Sequence, residues 1–534
     1  MLLIEWLAQQ KTETGPVGDF VPENVFNYFA SELLQKAEPN VRDVLLKSAL
    51  LPQMSVHSVI ALTENQRSEE ILAELNRRNF FVTRHGAGLY QYHPLFHQFL
   101  LAKVKQTLPQ HDLKRLRQRA AVLLQEEGQI EAAIELLRAN EDWPGMAEIV
   151  KISAKELLAH GRAVTLAEWI RALPGSIRDD AWIEYWLGQA LLGLDPRSSL
   201  PCFERALAAF RDSKDPTGIY LAWCGAVESV RFDRGGSQKR YDRWIALFDE
   251  IQHEFPEFPS DSIELKVMQA IIVPTDWRMP THPKRPYWRA RMLELSEVCG
   301  DVSMRVDALC RALASHLMHG EPAKAGILCA QLEQLLASTE PAPYAHTAAL
   351  TYVAMHHLHV GRLSECRTIA QQGLELSSRT SFHAYDLHLL FFQGAAAVSQ
   401  GDFKISAENA VRMSAMPRAQ AAFGAHFYHQ LLANQAFRQH DFSTALAHSE
   451  ECLRTGADTG FAFYESWGHV THALARFELD EKTAAANEIA EALTVIRSIG
   501  SHWLEWACLC AQAFLRFVRV IAKLARRRSR RRLL

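Results

Sequence analysis

His93 and His97 lie four residues apart, a spacing at which two imidazoles on one helix face can share a metal ion. No acidic or cysteine ligand follows at a usual spacing. Phe96 and Phe99 flank His97, so the pair reads as structural or surface histidines. A second group, His356, His357 and His359, sits just before Gly361. Adjacent helical residues point about 100° apart, so at most two of the three can meet one ion. Partly charged imidazoles at a helix C-terminal end are the simpler account. Cys508 and Cys510 are two apart on an expected helix and face different ways, which argues against a redox pair. There is no G-x-S-x-G elbow, H-E-x-x-H, Rossmann glycine pattern or G-x-x-x-x-G-K-[ST] phosphate loop. The expectation is a protein that is not an enzyme, with no catalytic residue, metal ligand or cofactor site in this chain. One charged motif remains. Arg526, Arg527, Arg528, Arg530, Arg531 and Arg532 place six arginines in seven positions, a density that can hold phosphates or an anionic membrane surface. A solvated tail is the plainer reading of that run.

Bulk properties narrow the class. The 534 residues suffice for two to four domains. With 48% hydrophobic residues, 22% charged residues and a net charge of −3, the chain is neither collagenous nor wholly disordered, and its charge does not point to nucleic acid. Nine scattered cysteines without a CxxC pair fit reduced thiols filling core gaps in a cytoplasmic protein. No signal-like leader is evident at the N-terminus. The most apolar stretch, Ala507 to Ala525, is interrupted by Gln512, Arg516, Arg519 and Lys523, so it reads as an amphipathic helix and not a transmembrane span.

The elements that must position these residues are mostly helices. Residues 1–20 read as a short apolar helix, Leu2 to Leu7, followed by a linker. Residues 21–105 read as a winged-helix-like module. One helix carries Val25, Phe26, Phe29, Leu33 and Leu34 on a face. A second spans Val41 to Leu50, and a third follows Ser68 as N-cap. A strand over Asn79–Val82, a turn over Arg84–Gly88 and a strand over Leu89–Tyr92 form the wing, and a helix opens at Pro94. Residues 106–510 read as helix after helix, with turns at Gly320, Gly361, Gly401, His440 and Asp480 spaced 41, 40, 39 and 40 residues apart. Small residues recur seven before four of these turns (Ala354, Gly394, Ala433, Ala473) and five after (Ala325, Cys366, Ala445, Ala485). Small residues at a fixed phase let antiparallel helices cross closely, and a period near 40 is that of stacked helix pairs. The proline-rich stretch 231–290 breaks the phase and reads as a long connection or an irregular repeat. Residues 511–534 read as the amphipathic helix and arginine tail. Trp182, Tyr185 and Trp186 form an aromatic face, best used in packing between repeats, with a ligand or partner surface as the other reading. The fold class is therefore mainly α: a small winged-helix module and an α-solenoid.

The wording of residues 20–510 resembles the ATP-dependent LuxR-type transcriptional regulators typified by the maltose-regulon activator. Phe26, Tyr28, Phe29 and Glu32 match that family's opening motif. Pro39, Arg42, Leu45, Leu46, Ser48 and Leu50 match its second helix. Asn79-Phe80-Phe81 and Tyr90-x-Tyr92-His93-x-Leu95-Phe96-x-x-Phe99-Leu100 match its wing and exit helix. The resemblance implies a bacterial sensor and signal-coupling region, whose tetratricopeptide-like superhelix binds an inducer or a regulatory protein and leads to self-association. It also implies that ATP belongs to an NTPase domain upstream of these residues. Direct DNA contact is not expected here, because Arg67, Arg77 and Arg78 on the third helix are mixed with Glu64, Glu69, Glu70 and Glu74. The alternative is a free-standing tetratricopeptide-like scaffold for protein partners. The ligand-binding residues are not identifiable from the sequence.

Overall fold

The structure, a computed structural model, describes residues 23–532 apart from 87, 234–235, 381 and 417–420, with side chains also left out at 23–27, 462, 465 and 519–532. The expected helix Leu2 to Leu7 and its linker lie outside the described residues. Two compact units divide the chain: Met1–Glu156 with Trp169–Ile177, and Leu157–Glu168 with Arg178–Leu534.

The first unit opens with α1 (Glu23–Lys36), α2 (Pro39–Ser48), β1 (Met54–Ser55), α3 (Val56–Thr63) and α4 (Ser68–Arg77). The wing strands β2 (Val82–His85) and β3 (Leu89–Tyr92) follow, then α5 (Pro94–Thr107), α6 (Gln110–Glu126), α7 (Ile130–Ala139) and α8 (Trp143–Ala159). Pro39 starts α2 where no backbone donor is needed. The Arg42 side chain donates to the Leu34 and Gln35 carbonyls at 3.0 and 2.8 Å, closing the end of α1. Strand order is β1-β3-β2, all antiparallel, with Tyr90 opposite both Met54 and Arg84. The alternation along β3 turns Tyr90 and Tyr92 inward, where Phe96 and Leu100 of α5 are fully buried.

Four local expectations change. Asn79 and Phe81 have φ of 54° and 57°, so 79–81 is a turn and the wing strand starts at Val82. Arg84 and His85 belong to strand β2 and not to the turn, and Gly86 and Gly88 take the positive φ expected of them. Strand β1 and helix α3 were not anticipated. α3 is capped by Ser55, whose Oγ accepts from the Ser58 amide at 3.0 Å. Ser68 is the first helical residue of α4 and not its cap; its hydroxyl donates to the Asn65 carbonyl at 2.7 Å.

Two short helices, α9 (Ala163–Ala172) and α10 (Gly175–Arg178), precede the hairpins of the second unit. These hairpins are α11 (Ala181–Leu192) with α12 (Pro196–Ser213), α13 (Pro216–Phe232) with α14 (Tyr241–Glu254), and α15 (Asp261–Arg278) with α16 (Arg285–Val298). They continue as α17 (Val302–Met318) with α18 (Pro322–Ser338), α19 (Pro343–His359) with α20 (Leu363–Thr380), and α21 (Asp386–Gln400) with α22 (Phe403–Ser414). Last come α23 (Ala422–Arg438) with α24 (Phe442–Thr459), α25 (Ala462–Glu478) with α26 (Lys482–Ser498), and α27 (His502–Arg532). The stretch 231–290 is thus an irregular repeat built of helices, with Pro274 inside α15.

The five phased turns all take left-handed φ: 72° at Gly320, 78° at Gly361, 79° at Gly401, 63° at His440 and 69° at Asp480. Each lets a helix end and its partner start within a few residues. The small residues flanking them sit where helices cross. Ala354, Ala433, Ala473, Ala325, Cys366, Ala445 and Ala485 are fully buried. At Gly394 a Cβ would lie 2.9 Å from the Leu431 Cδ2. The coil of hairpins in this unit closes on itself. The Arg278 guanidinium of α15 donates to the Gly460 carbonyl at 2.6 Å, and the Ser501 hydroxyl donates to the Met318 carbonyl at 3.0 Å.

Candidate functional site

Closure of the coil encloses a cavity of about 130 Å³. Its walls come from the first helix of successive hairpins: Arg231 of α13, Trp277 of α15, Arg311 and Ala314 of α17, Tyr352 and His359 of α19, and His388 and Phe392 of α21. Phe423 and Phe427 of α23, Tyr464 and Trp467 of α25, and Trp503 of α27 complete it, with Phe461 just ahead of α25. Among the described residues, none that lines it comes from a second helix, so the cavity is the inner face of the coil.

The lining is largely aromatic and internally braced. Trp277 stacks on Phe461 with centroids 4.9 Å apart, across the seam where the coil closes. Phe461 meets Tyr464 edge-on at 4.7 Å, and Tyr464 lies 5.4 Å from Phe423. The His388 ring contacts Phe423 and Phe427 at 5.4 and 5.3 Å, and the His359 ring lies 4.7 Å from Trp503. Such rings present fixed faces and edges to whatever enters, at small conformational cost.

Charges at the cavity edge are paired. The Glu228 carboxylate accepts from Arg231 at 2.6 Å and from Arg311 at 3.0 Å. Arg311 also donates to Asp307 at 2.7 Å, and the Tyr344 hydroxyl to the same carboxylate at 3.0 Å. Two guanidinium and two carboxylate groups sum to zero. Burial would raise the Glu228 pKa, yet the two arginines hold it below the usual carboxylate range. Asp276 is tied to Arg285 at 2.8 Å and to the Ser315 hydroxyl at 3.1 Å. The His359 Nδ1 donates to the Met355 carbonyl at 2.7 Å, which leaves Nε2 as a hydrogen-bond acceptor. A neutral, ring-sized guest with an apolar face and at most one or two polar groups suits these walls.

The residues singled out by sequence fall elsewhere. The His97 Nε2 donates to the Ala49 carbonyl at 2.7 Å and its ring packs on Tyr92; His93 is the residue just ahead of α5, with no capping bond from its side chain. His356 is buried, and burial first, then His357, pushes its pKa down to about 4, which overturns a partly charged imidazole there. His357 approaches Glu333, and His359 alone of the three lines the cavity. Cys508 is buried and Cys510 exposed, on different faces of α27. Tyr185 is core, with Trp182 4.9 Å from Phe210 of α12, so this aromatic face packs between helices. The backbone of α27 runs to Arg532, while the side chains of Arg526, Arg527, Arg528, Arg530, Arg531 and Arg532 lie outside the described residues. No described helix is long and apolar enough to cross a membrane.

Sequence reasoning missed the cavity, although a signal existed. His388, Phe427 and Trp467 each stand thirteen residues before their turns at Gly401, His440 and Asp480. A bulky ring recurring at one phase of the repeat, six residues before the small crossing residue, marks the inner face.

Among solved structures, the chain is similar to the signal-transduction ATPase with numerous domains and a tetratricopeptide repeat sensor from Pyrococcus horikoshii, at 12% identity and a TM-score of 0.37, covering 94% of this chain and 68% of that one. It is similar to the Cut9–Hcn1 hetero-tetramer of the APC/C at 12% identity and TM-score 0.43, covering 93% and 94%. It is also similar to yeast Tom70 at 9% identity and TM-score 0.33, covering 85% and 95%. Residues 30–112 match the family model of the MalT winged helix domain. The chain therefore carries a MalT-like winged helix followed by tetratricopeptide-like helical repeats.

Proposed function

We propose that the chain is the sensor and signal-coupling region of a transcription regulator, with no catalytic chemistry of its own, and that its repeats bind a small uncharged inducer in the aromatic cavity. The observation that carries this reading is the closed ring of first helices around that space, from Trp277 to Trp503, with every lining charge already paired. A guest held there touches helices that are distant in sequence, so its binding tightens the closure of the coil. The winged helix then relays the state of the repeats, and DNA contact and ATP chemistry belong to other segments of the regulator. Mixed charges on and flanking α4 support this division: Arg67 pairs with Glu70 at 3.0 Å, and Arg77 and Arg78 both pair with Glu74.

The test is thermal stabilisation of the full chain by a panel of neutral single-ring compounds, compared with Ala314→Trp, which fills the cavity from α17. Stabilisation confined to the unfilled protein supports the reading, and equal stabilisation of both overturns it. A second reading, a scaffold for protein partners, is favoured by the exposed side chains of Trp506, Phe514 and Phe517 on α27. Partner binding that survives Ala314→Trp and is lost in Phe517→Asp would select it.

A further inference from the structure

Away from the cavity, two helices from neighbouring hairpins bring together a thiol, a carboxylate and an imidazole. Cys329 and Glu333 stand one turn apart on a single face of α18, and His357 reaches them from the last turn of α19. One ligand atom from each lies within 4.8 Å of the other two, and the His357 Nε2 is 3.2 Å from the Glu333 carboxylate. Among the described residues this is the one group of three that meets that criterion.

We propose that Cys329, Glu333 and His357 bind a thiophilic divalent cation of the zinc class. A tetrahedral ion with bonds of about 2.0–2.3 Å needs its ligand atoms roughly 3.5 Å apart; the His357–Glu333 separation is 3.2 Å, and the Cys329 sulfur lies within 4.8 Å of both. One sulfur, one nitrogen and one oxygen donor form a mixed set that suits zinc, whereas magnesium and calcium prefer oxygen ligands alone. Cys329 and His357 are buried at 2% and 3% exposure, and Glu333 is half-exposed. The ion therefore enters beside Glu333 and keeps one coordination position for water. Its two charges are balanced by one thiolate and one carboxylate, so the complex is neutral where it meets the core. Binding releases the thiol proton to solvent. A bound ion clamps α18 to α19 and fixes the helical turn that carries the cavity residue His359.

The test uses the full chain, stripped with a chelator, kept reduced with a phosphine, and titrated with zinc alone by calorimetry. One zinc per chain is expected, with about one proton released. Cobalt in its place should show a thiolate-to-metal charge-transfer band that disappears in Cys329→Ser. Glu333→Gln, at an exposed position that leaves the core intact, should weaken zinc binding at least about tenfold. Cys510→Ser, at the exposed thiol, should change nothing. No zinc uptake, no thiolate band, unchanged affinity in Glu333→Gln, or loss of binding in Cys510→Ser would each overturn the proposal.

Discussion

The Ser48 hydroxyl serves two partners, donating to the Val44 carbonyl at 2.5 Å and accepting from the buried Tyr92 hydroxyl at 2.7 Å. Ser48→Ala strands the Tyr92 hydroxyl in the core and should destabilise the first unit by about 1–3 kcal/mol, while Tyr92→Phe leaves Ser48 its bond to Val44 and should cost only about 1 kcal/mol. Urea unfolding of both variants checks the order; a larger loss in Tyr92→Phe would contradict it. Ser48, Tyr90, Tyr92 and Phe96 were legible as motif residues, and the structure shows that their work is packing. A second residue-scale prediction concerns Glu488. Burial pushes its carboxyl up, but hydrogen bonds from His469 at 2.9 Å and His472 at 2.6 Å more than offset this and hold it at about 2, against an ordinary 4.5. A carboxylate depressed in the folded state stabilises above its unfolded pKa, and that contribution fades as pH falls through the folded one. The stability gap between the native chain and Glu488→Gln should shrink as pH falls from 4.5 to 2. A gap independent of pH across that range would refute the assignment.

At the scale of elements, glycines fall into two classes that one substitution separates. Gly361 has φ 78° with open space where a Cβ would go, so Gly361→Ala should cost about 1 kcal/mol through backbone strain alone. His440 occupies the equivalent turn with φ 63°, and His440→Gly should be neutral or stabilising by up to about 1 kcal/mol. Gly225 on α13 is helical, and an added Cβ would sit 2.3 Å from the Phe203 ring; Gly225→Ala should cost about 1–3 kcal/mol through overpacking. Thermal unfolding of the three variants tests the sign and order, and a stabilised Gly225→Ala would break the packing argument. The turns were legible because they recur at a near-constant spacing, three of the five at glycine, and the small crossing residues because they repeat in phase with them. Helix α3 was not, since Val56–Thr63 has no polar period to set it apart from a loop or strand. The three helices over 231–290 were obscured by prolines that sit at helix starts, in loops and, at Pro274, inside α15.

At the scale of the whole molecule, the repeat periodicity was readable and the cavity was not. Periodicity is a property of neighbouring residues, whereas the cavity depends on closure between α15 and α25, nearly two hundred residues apart. The same separation makes a guest in that space a reporter on the coil, because it contacts both sides of the seam at Trp277 and Phe461. The grouping of Cys329, Glu333 and His357 was illegible for a related reason: Cys329 and Glu333 carry no motif until His357 is folded against them. The most direct measurement of the central claim is fluorine NMR of para-fluorophenol, a neutral single ring with one hydroxyl, titrated into the full chain and into Ala314→Trp. A saturable one-to-one shift in the former and none in the latter is the predicted result. No shift in either protein, or the same shift in both, would contradict a ligand site inside the repeat coil.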